Sequence, residues 1–194
     1  MSIIAVIPAR GGSKRIPRKN IKPFLGKPII SYSIETALES NLFDKVIVST
    51  DDEEIAKISK RYGAEVPFLR PIELSNDKTV TNAVIRHSIK WMKKEDLDVS
   101  AVCCIYATAP FIGVGDLIKA YENFQSNDWE YVFSATKYSH PIQRSFRLKN
   151  DKSVEMFYPD KFAERSQELE QAYHDAGQFY WGKTDAWLNN KVIF

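Results

Sequence analysis

The chain has 194 residues, enough for one domain with a full hydrophobic core. Apolar residues make up 44% and charged residues 27%, the balance of an ordinary globular protein. Its 27 basic and 25 acidic side chains leave a net charge of +2, which excludes bulk nucleic-acid binding and charge-driven membrane binding; any phosphate chemistry must come from locally placed bases.

The N-terminus enters a strand-like run directly, with no basic region and apolar core of a signal peptide. No stretch approaches the roughly 20 apolar residues of a membrane-spanning helix, so the expected location is the cytoplasm. Short apolar runs at Ile3–Ile7, Lys45–Ser49, Ala101–Tyr106 and Tyr131–Ala135 read as buried strands. Between them lie helix-period segments. The first carries Ile30, Ile34, Ala37 and Leu38 on one face behind Pro28; the second carries Ile55, Ile58 and Tyr62 and is ended by Gly63. The third places Ile85, Ile89 and Met92 on a stripe, and the fourth Val114, Leu117, Ile118 and Tyr121. Strands alternating with helices predict an α/β fold: a mostly parallel sheet covered on both faces, with ligands bound beyond the carboxyl ends of the strands.

From Lys137 to Tyr173 the pattern turns polar, aperiodic and dotted with aromatics, the mark of an excursion from the sheet. Phe146, Met156, Phe157, Tyr158 and Phe162 on such an arm fit a surface covered by a second subunit, so 137–173 is expected to be a dimerisation arm on a single domain of 1–194. Alternation resumes at Gly177–Trp181, with a short helix over Lys183–Asn189 and an apparent strand at Lys191–Phe194. Cys103 and Cys104 are neighbours in a strand and point to opposite faces, which suits buried structural thiols and neither a shared metal nor a disulfide.

The chemistry concentrates in the loop after the first strand, Pro8-Ala9-Arg10-Gly11-Gly12-Ser13-Lys14-Arg15-Ile16-Pro17-Arg18-Lys19-Asn20. Adjacent glycines let backbone approach a ligand and adopt positive φ, and successive amides can cradle an anion. Five cations (Arg10, Lys14, Arg15, Arg18 and Lys19) surround them, so a triphosphate is the natural guest. The spacing is neither the dinucleotide fingerprint nor the Walker pattern. Thr50 and Glu53 after the second strand have capping-box spacing, which explains Thr50-Asp51-Asp52-Glu53 better than catalysis does. His174 and Asp175 are adjacent in an extended stretch and face opposite ways, which argues against an acid–base relay.

A-R-G-G-S-K-R-x-x-x-K-N after the first strand resembles the signature of the cytidylyltransferases that activate sialic, pseudaminic and related nine-carbon acids. Leu69-Arg70-Pro71-Ile72-Glu73-Leu74-Ser75-Asn76-Asp77 resembles that family's L-R-P-x-E-L-x-x-D stretch, and Arg165-Ser166-Gln167-Glu168-Leu169 its R-x-Q-D/E-L. The resemblance implies a three-layer Rossmann-like nucleotide-diphospho-sugar transferase fold with a protruding arm, and transfer of CMP from CTP to an acidic nine-carbon sugar, with Mg2+. It implies that Arg10 and Lys19 hold the CTP phosphates as the catalytic cations. Ala9, Gly11, Gly12 and Ser13 would support them, Asn20 would lie near the ribose or base, and Arg70 with Thr81 would recognise the cytosine. Tyr106, Arg165, Gln178, Phe179 and Tyr180 would form the sugar site, and the active form would be a homodimer.

Where sialic acid enzymes carry Q-P-T-S-P-L-R, this chain has Tyr106-Ala107-Thr108-Ala109-Pro110-Phe111-Ile112, with Tyr106 for the glutamine and Ile112 for the arginine. That form, and His174-Asp175-Ala176-Gly177-Gln178-Phe179-Tyr180-Trp181, resemble the pseudaminic acid branch; a sialic or legionaminic acid enzyme is the alternative. The family's metal-binding D-I-D-T motif has no counterpart in 1–194, so the metal ligands are not identified. The expectation is a chain ending short of that motif, or else a paralogue that binds nucleotide without turnover.

Overall fold

A computed structural model describes residues 1–193. In chain order the elements are β1 (Ser2–Pro8), β2 (Pro23–Phe24), β3 (Lys27–Pro28), α1 (Ile29–Glu39), β4 (Lys45–Ser49), α2 (Glu53–Arg61), α3 (Thr81–Lys94), β5 (Val99–Ile105), α4 (Val114–Ser126), β6 (Tyr131–Lys137), β7 (Phe146–Leu148), β8 (Val154–Met156), β9 (Tyr173–Lys183) and α5 (Thr184–Leu188). The chain divides into two units, one of Met1–Ser134 and the stretch from Gly177, the other Ala135–Ala176.

The first unit is built on a sheet of order β4-β1-β5-β9-β6. Strand β1 lies parallel to both β4 and β5, while β9 lies antiparallel on β5, pairing Ala101 with Lys183 and Ile105 with Phe179. The sheet is therefore mixed around a parallel core. Parallel neighbours need a crossover, usually a helix. The segment between β6 and β9 supplies none.

Strand alternation sends side chains to two separate cores. Ala5, Ile7, Val46, Val48 and Cys103 meet Ile30 and Ile34 of α1, Ile55 of α2 and Leu117 of α4. Ile4, Val6, Ile47, Val102 and Cys104 meet Ile85, Ile89 and Met92 of α3 and Trp187 of α5. Helices on both faces make three layers. The two cysteines are free, fully buried and on opposite faces, and burial raises both thiols well above their ordinary range. A buried Ile or Val contributes about 1.5–3 kcal/mol, so these two faces carry most of the stability.

Two local expectations are corrected. The N-cap of α2 is Asp52, whose Oδ1 accepts from Ile55 N at 2.9 Å; the Thr50 hydroxyl accepts from Asp52 N instead, so no Thr50–Glu53 capping box forms. Lys191–Ile193 form no strand, and Phe194 lies outside the described residues. Lys191 N donates back to Ala186 O at 3.1 Å while Asn190 takes φ 57°, closing the helix end with an αL turn.

The second unit contains the β7–β8 hairpin, in which Phe146 pairs with Met156. Arg144 Nη1 donates to Phe162 O at 3.0 Å. Phe146, Phe157 and Phe162 are exposed. His174 Nδ1 lies 2.9 Å from the carbonyl oxygen of Asp175, so that contact involves backbone and not the carboxylate.

Candidate active site

The loop after β1 is tethered by its neighbours. Ala9 N donates to Ser49 O at 2.9 Å, extending the β1–β4 ladder by one residue, and Ala9 is fully buried. Gly11 N donates to Asp51 Oδ1 at 2.9 Å. Neither Gly11 nor Gly12 has positive φ, contrary to expectation. Glycine is required at 11 for a different reason: a Cβ there would lie 2.6 Å from Asp52 Oδ2, whereas one at 12 would meet nothing within 4 Å. The left-handed residue of the loop is Arg18, φ 54°, and its guanidinium grips Asp52 (2.5 and 2.9 Å) and Glu54 (2.5 Å). Arg18 is thereby a brace between the loop and α2. Asn20 is buried and donates from Nδ2 to Arg10 O at 2.9 Å, closing the loop on itself.

Beyond this loop, at the carboxyl ends of β1 and β5, opens a cavity of 730 Å³. Its walls bring together Arg10, Ser13, Lys19, Asn20, Arg70, Thr81 and Tyr106, with Lys14, Arg15 and Asp77 beside them. The site is electropositive. Burial first, and then the charges of Arg15 and Arg10, push the Lys19 ammonium below its ordinary range. Among the described residues no carboxylate pairs with Lys19, so an arriving anion would relieve that stress. Arg10 Nη2 and Lys14 Nζ both reach Asp77, at 2.6 and 2.5 Å. Hydrogen bonds from Lys14 and then Arg10 hold that carboxyl below the usual carboxylate range.

Arg70 also lines the cavity, its side chain only 3% exposed. Its Nε donates to Ser75 Oγ at 3.1 Å and its Nη2 lies 3.7 Å from Asp51 Oδ1. Backbone fixes it too, since Arg70 N donates to Thr50 O at 2.7 Å. Thr81 is the first residue of α3. Tyr106 is pinned at both backbone groups: its N donates to Gln178 O at 2.9 Å and its carbonyl accepts from Ser33 Oγ at 2.8 Å.

The remaining expected residues are placed elsewhere. Ala9, Gly11 and Gly12 do not line the cavity; Ala9 packs in the core and Gly11 faces Asp52 in the β4–α2 connection, while nothing lies within 4 Å of a Cβ at Gly12. Phe179 and Tyr180 are strand residues buried in the two cores, and Tyr180 backs Tyr106 with ring centroids 5.4 Å apart. Gln178 meets the site through its carbonyl to Tyr106. Arg165 is exposed in the second unit, at the start of a 3-10 turn over Ser166–Glu168. Ile112 is buried in the core and is not a cavity residue, which leaves Tyr106 as the departure that faces the cavity. Sequence reasoning missed Asp51. The available signal was its position after β4, the strand beside β1, because the carboxyl ends of adjacent parallel strands share one rim.

Residues 4–183 match the family model described as Cytidylyltransferase. The chain belongs to the cytidylyltransferase family. It is 49% identical to the pseudaminic acid cytidylyltransferase of Campylobacter jejuni serotype O:2, over 100% of this chain and 84% of that protein. It is 33% identical to the N-acylneuraminate cytidylyltransferase of Escherichia coli O18:K1:H7, over 99% of this chain and 45% of that protein. In three dimensions it resembles the CMP:2-keto-3-deoxy-manno-octonic acid synthetase complexed with CTP, with TM-score 0.72 and 19% identity, covering 98% of this chain and 77% of that one. As a member of this family, the chain is a CTP-dependent nucleotidyltransferase by descent, and the cavity at its strand ends is the place where its cations converge.

Proposed function

We propose that the chain transfers CMP from CTP to the anomeric hydroxyl of pseudaminic acid, releasing pyrophosphate. The observation that carries this reading is the cavity itself, which Arg10, Lys14, Arg15 and Lys19 line together with Arg70 and Tyr106. The anomeric oxygen attacks the α-phosphorus in line, the new O–P bond forms as the bond to the β-phosphate oxygen breaks, and the hydroxyl proton passes to solvent. Arg10 and Lys19 neutralise charge on the phosphates, for which preoriented cations in a confined cavity are suited. Arg70 and Thr81 face the base, and Tyr106 presents an aromatic surface to a sugar richer in methyl groups than sialic acid. The 49% identity to a pseudaminic acid enzyme, against 33% to an N-acylneuraminate enzyme, supports that choice of sugar.

Magnesium is the cofactor this chemistry calls for; when bound it would supply positive charge to offset that of the phosphates. The described residues contain no cluster of three or more His, Cys, Asp or Glu suited to a metal, and Asp77 is the one carboxylate on the cavity wall. They do not form a protein-built metal site. The reading also includes a homodimer built on the second unit, supported by its exposed Phe146, Phe157 and Phe162, with Arg165 in that unit as a sugar or phosphate contact. A cytoplasmic location goes with the use of CTP; no described helix is long and apolar enough to cross a membrane.

The test is pyrophosphate release from CTP and magnesium with pseudaminic, N-acetylneuraminic or diacetyllegionaminic acid as acceptor. Fastest turnover is expected with pseudaminic acid. Preference for either other acid would overturn the choice of sugar, and CTP binding without turnover on any acid would overturn the catalytic reading.

A further inference from the structure

Asp51 occupies an unusual position. One oxygen, Oδ1, accepts the Gly11 amide at 2.9 Å and also faces Arg70 Nη2 at 3.7 Å. Gly11 belongs to the phosphate loop and Arg70 follows the Thr50–Leu69 bridge, so a single atom links the loop to Arg70. The arrangement follows from topology. Strand β4 lies beside β1, and Thr50 just past its end pairs with Leu69 in a parallel bridge, so residue 51 emerges between the loop and Arg70. Arg70 needs such a partner: its guanidinium is nearly fully buried, and a buried charge without a counter-ion is costly. Ser75 Oγ satisfies Nε but brings no charge. Arg10, the other charged group acting on Arg70, is of like sign and pushes against it, as Asp51 pulls toward it.

We propose that Asp51 is a positioning residue that holds the Arg70 guanidinium in register with the phosphate loop, so that base recognition and phosphate binding refer to one fixed frame. Asp51 does not line the cavity and is not expected to touch CTP. The inference rests on the reading of Arg70 as the base-recognising group.

The experiment compares Asp51→Asn, Asp51→Ala, Arg70→Ala and the Asp51→Asn/Arg70→Ala double variant. Binding of CTP, UTP and inorganic tripolyphosphate is measured by calorimetry. Asp51→Asn keeps an oxygen for the Gly11 amide and loses the charge facing Arg70. It should bind tripolyphosphate within about twofold of the parent and lose roughly tenfold in CTP-over-UTP preference, the scale of coupling between groups in contact. Asp51→Ala also loses the Gly11 acceptor and should bind tripolyphosphate several-fold more weakly. In the Arg70→Ala background, Asp51→Asn should change the preference no further, which a merely structural role would not produce. Tripolyphosphate binding reports that each variant is folded. A normal CTP-over-UTP ratio in Asp51→Asn, beside a collapsed ratio in Arg70→Ala, would overturn the role of Asp51 alone. A normal ratio in Arg70→Ala would overturn the reading of Arg70 and the inference with it.

Discussion

Replacing Gly11 with alanine tests how the loop is built. The new Cβ would lie 2.6 Å from Asp52 Oδ2 and 2.9 Å from Asp52 Cβ, inside any van der Waals contact. Either the loop or the Asp52 side chain must shift. Asp52 is not free to do so, because it caps α2 through Ile55 N at 2.9 Å and binds Arg18 at 2.5 and 2.9 Å. Loss of an N-cap costs about 0.5–2 kcal/mol. The ion pair is partly exposed, 40% at Arg18 and 21% at Asp52, so solvent screening limits its contribution to about 1 kcal/mol or less. Removing glycine freedom from the unfolded chain offsets about 0.4–1 kcal/mol of this. The net expectation is destabilisation by about 1–2 kcal/mol, a Tm lower by about 2–8 °C for a chain of this size. Gly12→Ala is the control: no atom lies within 4 Å of its added Cβ. It should stay within about 0.5 kcal/mol of the parent. Urea unfolding without nucleotide, which would itself stabilise the folded state, measures both. Equal stability of Gly11→Ala and the parent, or a larger loss at Gly12, would refute this account.

Lys19→Ala should weaken CTP binding more than Arg10→Ala does, because Lys19 has no ion-pair partner to give up whereas Arg10 must first leave Asp77. Lost charge-assisted bonds of about 1.5–3 kcal/mol predict roughly ten- to a hundredfold for Lys19, read by calorimetry. Asp77→Asn, which frees Arg10 and Lys14, should tighten tripolyphosphate binding; an unchanged or weaker affinity would show that Asp77 does not compete for those cations. Arg18 holds the Asp52 carboxyl below its ordinary range, so the pair stabilises the fold above an ordinary carboxylate pKa of about 4 and is lost as pH falls through the lower folded value. Asp52→Asn should therefore be less stable than the parent at pH 7 and converge on it in acid. The intact protein should sediment as a dimer at micromolar concentration; a monomeric mass would remove the proposed role of the second unit.

The layered fold was legible because its central strands are continuous apolar runs and its helices carry full apolar stripes, as with Ile85, Ile89 and Met92 in α3. Gly63 at φ 95° ends the second helix as its place in the pattern implied. Less legible was anything that depends on strand order. That β9 returns antiparallel is a property of the path between β6 and β9, and no residue in Gly177–Trp181 encodes it. That Asp51 faces the loop depends on β4 lying beside β1, a relation separated by 40 residues in sequence. The paired glycines were misread for a related reason. A glycine signals a backbone need or a steric one, and only the neighbour, here Asp52, decides between them.

The same neighbours sort the loop's cations by task. Arg18, which does not line the cavity, meets two carboxylates, Asp52 and Glu54, and its charge holds the loop to α2. Arg10 and Lys14 meet one carboxylate between them, Asp77, on the cavity wall and 39% exposed. Water reaches that pair, so its exchange for a phosphate trades one solvated ion pair for another at little net cost. Lys19 and Arg15 form no ion pair among the described residues, and burial with like-charge crowding disfavours the Lys19 ammonium. An incoming triphosphate thus gains most at Lys19 and least at Arg10. A chain with a net charge of only +2 concentrates its phosphate attraction where the carboxylates at the start of α2 have left cations uncovered.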